Sequence, residues 1–279
     1  MTIAAELERT AITDAGRRVA GRYLLQRVLG RGGMGRVWLA LDELLGRQVA
    51  LKQVVRGGPA SEYDDDIRAA ALGEARAAAR VDHPGVVRVH DLVEDGSGPW
   101  IVMEVLSGRT LAAEIESRGP LGAAEVTRIA ARLVDALRAI HRAGLVHGDV
   151  KPSNVQLCDD GRVVLTDFGI ARATDDESTL PSGGLAGSPA YISPERARGE
   201  QAGPASDLFS LGSTLFAAVE GHSPFGTGDP FSTLVAVVED EPGPFVHAGP
   251  LRPLIEGLLA KQPAARMTAD EARMAVRGR

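Results

Sequence analysis

The stretch His147-Gly148-Asp149-Val150-Lys151-Pro152-Ser153-Asn154, followed by Thr166-Asp167-Phe168-Gly169, decides how this chain is read. It carries two carboxylates, Asp149 and Asp167, in separate turns with Asn154 between them. Asp, Asn, Gly and Pro punctuate turns everywhere, so either motif alone reads as ordinary loop chemistry. Their order along the chain, after the residues described next, points further. Mg²⁺ prefers hard oxygens and takes one or two from protein, the rest from phosphates and water. Asn154 and Asp167 are residues of that type. Asp149 is then left to accept a proton or orient a hydroxyl.

Upstream, Gly30-Arg31-Gly32-Gly33-Met34-Gly35 fits the G-x-G-x-x-G pattern. A dinucleotide fold needs a helix after the glycines and an acid about 20 residues on. Here a strand follows, and Val49 to Ala60 contains no acid. The Gly-Lys-Ser/Thr of a P-loop is absent. A glycine hairpin between two strands fits better, its bare backbone closing over phosphates and donating N–H groups. Lys52 stands mid-strand among Val49, Ala50, Leu51, Val54 and Val55. A strand lysine ordinarily faces solvent. A helix over 62–81 changes that expectation, because Ile67, Ala71, Glu74, Ala78 and Val81 share one face. Glu74 is a carboxylate in an apolar stripe and needs a partner. Lys52 is the natural candidate, held where it meets phosphate oxygens.

Around these motifs the chain divides. Residues 1–20 read as a charged, Ala-rich leader, helical or frayed. Strand patterns run from Tyr23 to Leu29, Arg36 to Leu41, Gln48 to Val55, Val86 to Glu94 and Trp100 to Val105. After Ser107-Gly108 the balance turns helical, with 121–142 a long amphipathic helix ending before Gly144. Asp160-Gly161 marks a hairpin between 155–158 and 162–165. Residues 170–189 read as a long functional loop, and helices follow near 205–221, 230–239, 251–260 and 268–276. There is no internal repeat. The expected domains are a leader at 1–20, a small lobe at 21–105 and a large lobe at 106–279.

The 279 residues are 44% hydrophobic and 24% charged, ordinary globular values. A net charge of −6 gives no electrostatic footprint for nucleic acid. One cysteine, Cys158, excludes an internal disulfide framework and a cysteine-based zinc site. No apolar run reaches the ~18 residues of a membrane span, and no secretory signal is visible. The default expectation is a soluble, reduced, cytoplasmic protein. The chain stops after its last expected helix, so it is soluble by nature or the cytoplasmic part of something larger.

Taken together, the motifs resemble a protein kinase, similar to the bacterial Ser/Thr kinases of eukaryotic (Hanks) type, over about Tyr23 to Val276. The likeness rests on matching motifs in family order. It implies an α+β bilobal fold, a small antiparallel β-sheet lobe with one helix followed by a larger, mainly helical lobe. It implies transfer of the γ-phosphoryl of Mg-ATP (Mn²⁺ being the alternative ion) to Ser/Thr hydroxyls of a protein substrate, with autophosphorylation. Leu29, Gly30, Gly32, Gly33 and Gly35 would cover the nucleotide. Lys52 would hold the α/β-phosphates, anchored by Glu74. Asp149 would be the catalytic base, Lys151 the γ-phosphate contact, and Asn154 and Asp167 the metal ligands. Met103, Glu104 and Leu106 would form the hinge that reads adenine, with Val37 and Ala50 above the base and Gln156 below it. His147, Phe168, Ser188, Glu195, Asp207 and Arg266 would be structural, Glu195 pairing with Arg266 and Asp207 bracing the catalytic loop. Thr174, Ser178, Thr179 and Ser182 are the phosphosite candidates. A homodimer through the small lobe is open, as in some relatives.

Three positions depart from the family pattern. Gly148 replaces the usual Arg beside the catalytic Asp, so the loop at 170–186 is expected to depend weakly on phosphorylation. Ser188 stands in place of Thr but keeps the hydroxyl. Gln156 puts an amide where an apolar residue usually floors the adenine, so Gln156→Leu is expected to strengthen nucleotide binding. His141, Cys158, Trp38 and Trp100 read as structural. Two other classes compete with an active protein kinase. A small-molecule phosphotransferase of aminoglycoside-kinase type shares the His-Gly-Asp loop. A pseudokinase would bind nucleotide or partners without turnover.

Overall fold

The computed structural model describes residues 14–32, 35–54, 69, 72, 73, 75, 76, 78–96, 98–167, 189–226 and 228–278. They fall into two compact units, one drawn from Met1–Ala79 and Val87–Val105, the other from Arg80–Val86, Leu106–Ile170 and Thr174–Arg279.

The first unit is an antiparallel sheet. Its strands are β1 (Arg18–Val19), β2 (Tyr23–Gly32), β3 (Gly35–Asp42), β4 (Arg47–Gln53), β5 (Val89–Asp95) and β6 (Gly98–Met103), in the order β1-β2-β3-β4-β6-β5. Residues 69, 72, 73, 75, 76, 78 and 79 are helical. Alternation along the strands splits the side chains between two faces. Val19, Tyr23, Leu25, Trp38, Ala40, Val49, Leu51, Trp100 and Val102 share one face and form the core cluster. The register leaves Val37, Ala50, Lys52, Ile101 and Met103 on the opposite face.

The turn between β3 and β4 is held by Asp42. Its buried carboxylate takes both prongs of Arg22, at 2.8 and 2.7 Å, and the N–H groups of Leu44 and Leu45. Those bonds, led by Arg22, lower its pKa. Tyr23 donates its hydroxyl to Asp91 on β5 at 3.1 Å. Burial and the neighbouring carboxylate push that hydroxyl up to about 12.

The leader expectation is corrected from Asp14 onward. The Gly16 N–H donates to Leu25 and the Leu25 N–H to Arg17, both at 2.9 Å. Val19 is wholly buried. The Arg17 guanidinium bonds Asp95 at the far end of β5 and lies over the Trp100 ring at 5.9 Å. Residues 1–13 lie outside the described residues.

The second unit is mainly helical. A short sheet, β7 (Arg109–Thr110), β8 (Val155–Leu157) and β9 (Val163–Leu165), precedes and interrupts its helices. These are α1 (Leu111–Arg118), α2 (Ala123–Arg142), α3 (Pro194–Ala197), α4 (Pro204–Glu220), α5 (Pro230–Glu239), α6 (Arg252–Leu258) and α7 (Ala269–Arg277). The long helix expected at 121–142 is α2, burying Val126, Ile129, Ala130, Leu133, Val134, Leu137 and Ile140 along one stripe. α4 is buried from Ser206 to Glu220, and at Gly212 an added Cβ would meet Leu258 at 2.8 Å. Glycine is therefore what lets α4 and the end of α6 touch. Side chains cap the helices, Thr110 on α1, Asp229 on α5 and Thr268 with Glu271 on α7, each worth about 1 kcal/mol. Gly108, at φ 79, lies against β8, where a Cβ would fall 2.0 Å from the Leu157 carbonyl oxygen. The sequence pattern had not suggested α1, β7 or α3.

Candidate active site

In the first unit the candidate residues form cross-strand rows. Gly30 stands opposite Val37, Val37 opposite Lys52, and Lys52 opposite Ile101. The next row sets Leu39 opposite Ala50 and Ala50 opposite Met103. Directly opposed side chains on one face lie within contact of each other. Lys52 is only 5% exposed, so the surface position usual for a strand lysine is overturned. Gly32 pairs with Gly35 across the hairpin, and Gly35 has φ 130. Leu29 and Gly30 are exposed at the strand end. The Glu104 N–H donates to the Arg88 carbonyl at 2.9 Å, and its carboxylate accepts the Arg88 N–H. Gly33 and Glu74 lie outside the described residues, so the Lys52–Glu74 pairing stays an expectation.

The second unit brings the deciding motif together. α4 delivers Asp207, and its carboxylate accepts the N–H of His147 and that of Gly148, both at 2.8 Å. The same carboxylate meets Nε2 of His141 at 2.8 Å. Two backbone donors and a ring nitrogen on one buried anion fix the turn at 147–148. His147 is fully buried. Its Nε2 faces the Thr166 carbonyl at 3.1 Å and its Nδ1 faces the Asp149 N–H at 3.3 Å. A carbonyl accepts only from an N–H, so Nε2 holds the proton and Nδ1 accepts. Burial lowers the pKa of this ring, consistent with that neutral form. Both ring nitrogens are committed to structure.

From that turn Asp149 projects its carboxylate. Oδ2 accepts from Asn154 Nδ2 at 2.8 Å and from Lys151 Nζ at 2.7 Å. The Asn154 Nδ2 also donates to the Asp149 carbonyl at 2.9 Å. Among the described residues only Oδ2 of Asp149 is so engaged. With its amide nitrogen spent on Asp149, Asn154 keeps its Oδ1 as an acceptor, facing Ser153 Oγ at 3.5 Å. The Asn154 carbonyl accepts from the Thr166 N–H at 2.9 Å, and β8 pairs with β9 through Val155 and Leu165. This hairpin sets Asp167 one residue beyond the bond to Asn154. Asp167 has φ 56, a left-handed backbone uncommon for a residue with a side chain. Asn154 Oδ1 and the Asp167 carboxylate are hard oxygens and fit a magnesium ion that completes its shell with phosphate and water.

Gln156 makes a bond within the protein. Its Nε2 donates to the Ser107 carbonyl at 2.8 Å, tying β8 to the segment before Gly108. The amide nitrogen is thus a brace within the protein, and the place of Gln156 beneath the adenine stays an expectation. Leu106 is half-buried. Glu195 and Arg266 form a bidentate buried pair at 2.8 and 3.0 Å, with Ser206 Oγ as a third donor at 2.8 Å. Burial alone would raise the Glu195 pKa, but the bonds from Arg266 and Ser206 outweigh it and bring it down to about 2. Arg266 also lies over the Phe209 ring at 5.1 Å, and Phe209 stacks on Phe225. Trp38, Trp100, His141 and Cys158 sit within the packed units. Phe168, Ser188, Thr174, Ser178, Thr179 and Ser182 lie outside the described residues. Two contacts had no sequence signal. Arg196 donates to the Gly148 carbonyl, and Glu220 accepts the N–H groups of Val246, His247 and Ala248.

A cavity of about 490 Å³ opens in the second unit. Ile115 and Glu116 of α1, Ala190 and Tyr191, His222, and Thr233 of α5 are among its lining. No helix among the described residues is long and apolar enough to cross a membrane.

Comparison with known proteins agrees with this geometry. The model of the protein kinase domain matches residues 23–275. The serine/threonine-protein kinase PknA of Mycobacterium tuberculosis is 39% identical over 257 residues, covering 89% of this chain and 58% of that protein. The probable serine/threonine-protein kinase SCO3848 of Streptomyces coelicolor is 39% identical over 270 residues, 92% of this chain and 40% of that protein. PknL of M. tuberculosis, also a serine/threonine-protein kinase, is 41% identical over 210 residues, 75% of this chain and 51% of that protein. The chain thus spans about half the length of the relatives it matches. With the motif order, the antiparallel sheet, the helical unit and the Asp149 loop on one chain, this protein belongs to the protein kinase family, in its bacterial serine/threonine branch.

Proposed function

We propose that this chain transfers the γ-phosphoryl group of ATP to serine or threonine hydroxyls of protein substrates, its own included. The observation that carries the reading is the Asp149 constellation, one carboxylate oxygen held by Lys151 and Asn154 and the other turned to no donor among the described residues. Phosphoryl transfer asks little covalent help of a protein. It asks for in-line positioning and neutralised oxygens. In this reading Asp149 orients the acceptor hydroxyl and takes its proton, and Lys151 neutralises the transferring group. Asn154 and Asp167 hold Mg²⁺, which when bound draws charge from the phosphate oxygens. Lys52 holds the α- and β-phosphates, paired with Glu74. Residues 29–35 close over them, and Val37, Ala50, Met103, Glu104 and Leu106 take the adenine. An ATP-consuming enzyme of this kind works in the cytoplasm, where its nucleotide is. Self-association through the sheet unit is a separate question for sedimentation.

The test is radiolabelled ATP with Mg²⁺, the protein alone and with a generic basic protein, beside Asp149→Asn. Label on serine and threonine that falls at least ~100-fold in the variant is expected. Nucleotide binding with no transfer would select a pseudokinase. Transfer only to an aminoglycoside would select the small-molecule class.

A further inference from the structure

The catalytic turn is gripped on its N–H side by Asp207, and Gly148 has no side chain with which to grip the other. Its backbone is left-handed, φ 78, a conformation glycine adopts without strain. The carbonyl of Gly148 belongs to the peptide that leads into Asp149. On that peptide the Asp149 N–H reaches His147 Nδ1, and the Gly148 carbonyl accepts from the guanidinium of Arg196. Arg196 is half-buried and stands 48 residues away, on α3. Its starting point is fixed, because the preceding residue is Glu195, pinned by Arg266 and Ser206. A guanidinium donating to a carbonyl is a charge-assisted bond, shorter and stronger than a neutral one. The turn therefore sits between an anion on its two N–H groups and a cation on its carbonyl.

We infer that Arg196 is a positioning residue for phosphoryl transfer, setting the Gly148–Asp149 peptide, and through it the Asp149 carboxylate, from across the second unit. It supplies from α3 a cation that the catalytic loop of this chain does not carry at 148. The inference rests on the reading of Asp149 as the group that orients the acceptor hydroxyl. Without Arg196 the peptide is free to rock about its hydrogen bond to His147, and a displacement near 1 Å in the acting group is worth about 100-fold in rate.

The experiment compares wild type, Arg196→Met, Arg196→Lys and Asp149→Asn in steady-state transfer to a basic protein, with thermal melting of each. In Arg196→Met we expect kcat to fall about 10- to 100-fold, with the KM for ATP within about twofold and the melting midpoint little changed. Arg196→Lys, which keeps a donor and a charge, recovers part of the loss. Turnover of Arg196→Met within twofold of wild type would overturn the inference. So would a loss that tracks unfolding and is no smaller in Arg196→Lys, since that is the mark of a structural residue. An active wild type with an inactive Asp149→Asn keeps the underlying reading intact in either case. An inactive wild type sinks that reading itself.

Discussion

Ser193 opens the Ser-Pro-Glu segment with a hydroxyl that is wholly buried and finds no hydrogen-bond partner among the described residues. A buried polar group left unpaired costs about 1–3 kcal/mol. Ser193→Ala removes that cost without removing a packed methylene. Its expected outcome is a rise of about 2–4 °C in the melting midpoint, measured by calorimetry. A midpoint that stays or falls would show that the hydroxyl has a role the geometry does not reveal. At the same scale, the residue types proposed for the site are legible because phosphate, hydroxyl and Mg²⁺ restrict the residues that could serve them. Asp149, Lys151, Asn154 and Asp167 are of that kind. Arg196 and Glu220 were not readable, because a bond across 48 residues, or from a helix end to a loop 26 to 28 residues on, follows no period in the chain. Nor does anything in the sequence show that the Gln156 amide nitrogen reaches the Ser107 carbonyl.

Among elements, β1 is one of those that periodicity does not show. Two residues cannot display an alternation, and the Ala-rich leader ahead of them reads as a frayed end. Gly16 and Arg17, just before it, bond the backbone of Leu25, and its own Val19 lies in the core. Removing residues 1–20 is expected to cost about 2–3 kcal/mol, most of it the burial of Val19 with the lost bonds. Urea unfolding of the truncated protein measures it, and an unchanged midpoint would return this segment to the status of a tail. Long elements were legible for the converse reason. The apolar stripe of α2 repeats over five turns, and the helices expected near 205–221 and 230–239 stand at Pro204–Glu220 and Pro230–Glu239. Short α1 depends on a single cap at Thr110 and on contacts far along the chain, so its eight residues gave no clear period.

At the scale of the whole chain, stability should depend on acid in a way one pair dictates. Glu195 has its pKa brought down to about 2 in the folded protein, against 4.5 ordinarily. A lowered carboxylate contributes stability that is fully present above the unfolded value and is lost as pH falls through the folded one. The loss therefore runs from about pH 4.5 to about pH 2. Glu195→Gln leaves Arg266 buried without its counter-charge and is expected to destabilise at neutral pH by about 3–5 kcal/mol. That deficit relative to wild type should shrink across the same window. A deficit that stays constant from pH 6 to pH 3 would mean the carboxylate is not the group responsible.

The rows Gly30–Val37–Lys52–Ile101 and Leu39–Ala50–Met103 make the length of β3 a ruler for the placement of Lys52. Side chains in a strand alternate, so one residue gained or lost between Val37 and Leu41 would swap inside for outside on one stretch of the strand. Val37 would then lose its place opposite Lys52. The corner at 43–46 sets no register of its own, although Leu44, Leu45 and Gly46 donate N–H groups to Asp42, the Glu43 N–H bonds the Arg22 carbonyl and Arg18 grips the Glu43 carboxylate. Descendants of this sequence should therefore vary in length at that corner and keep β3 at its present count.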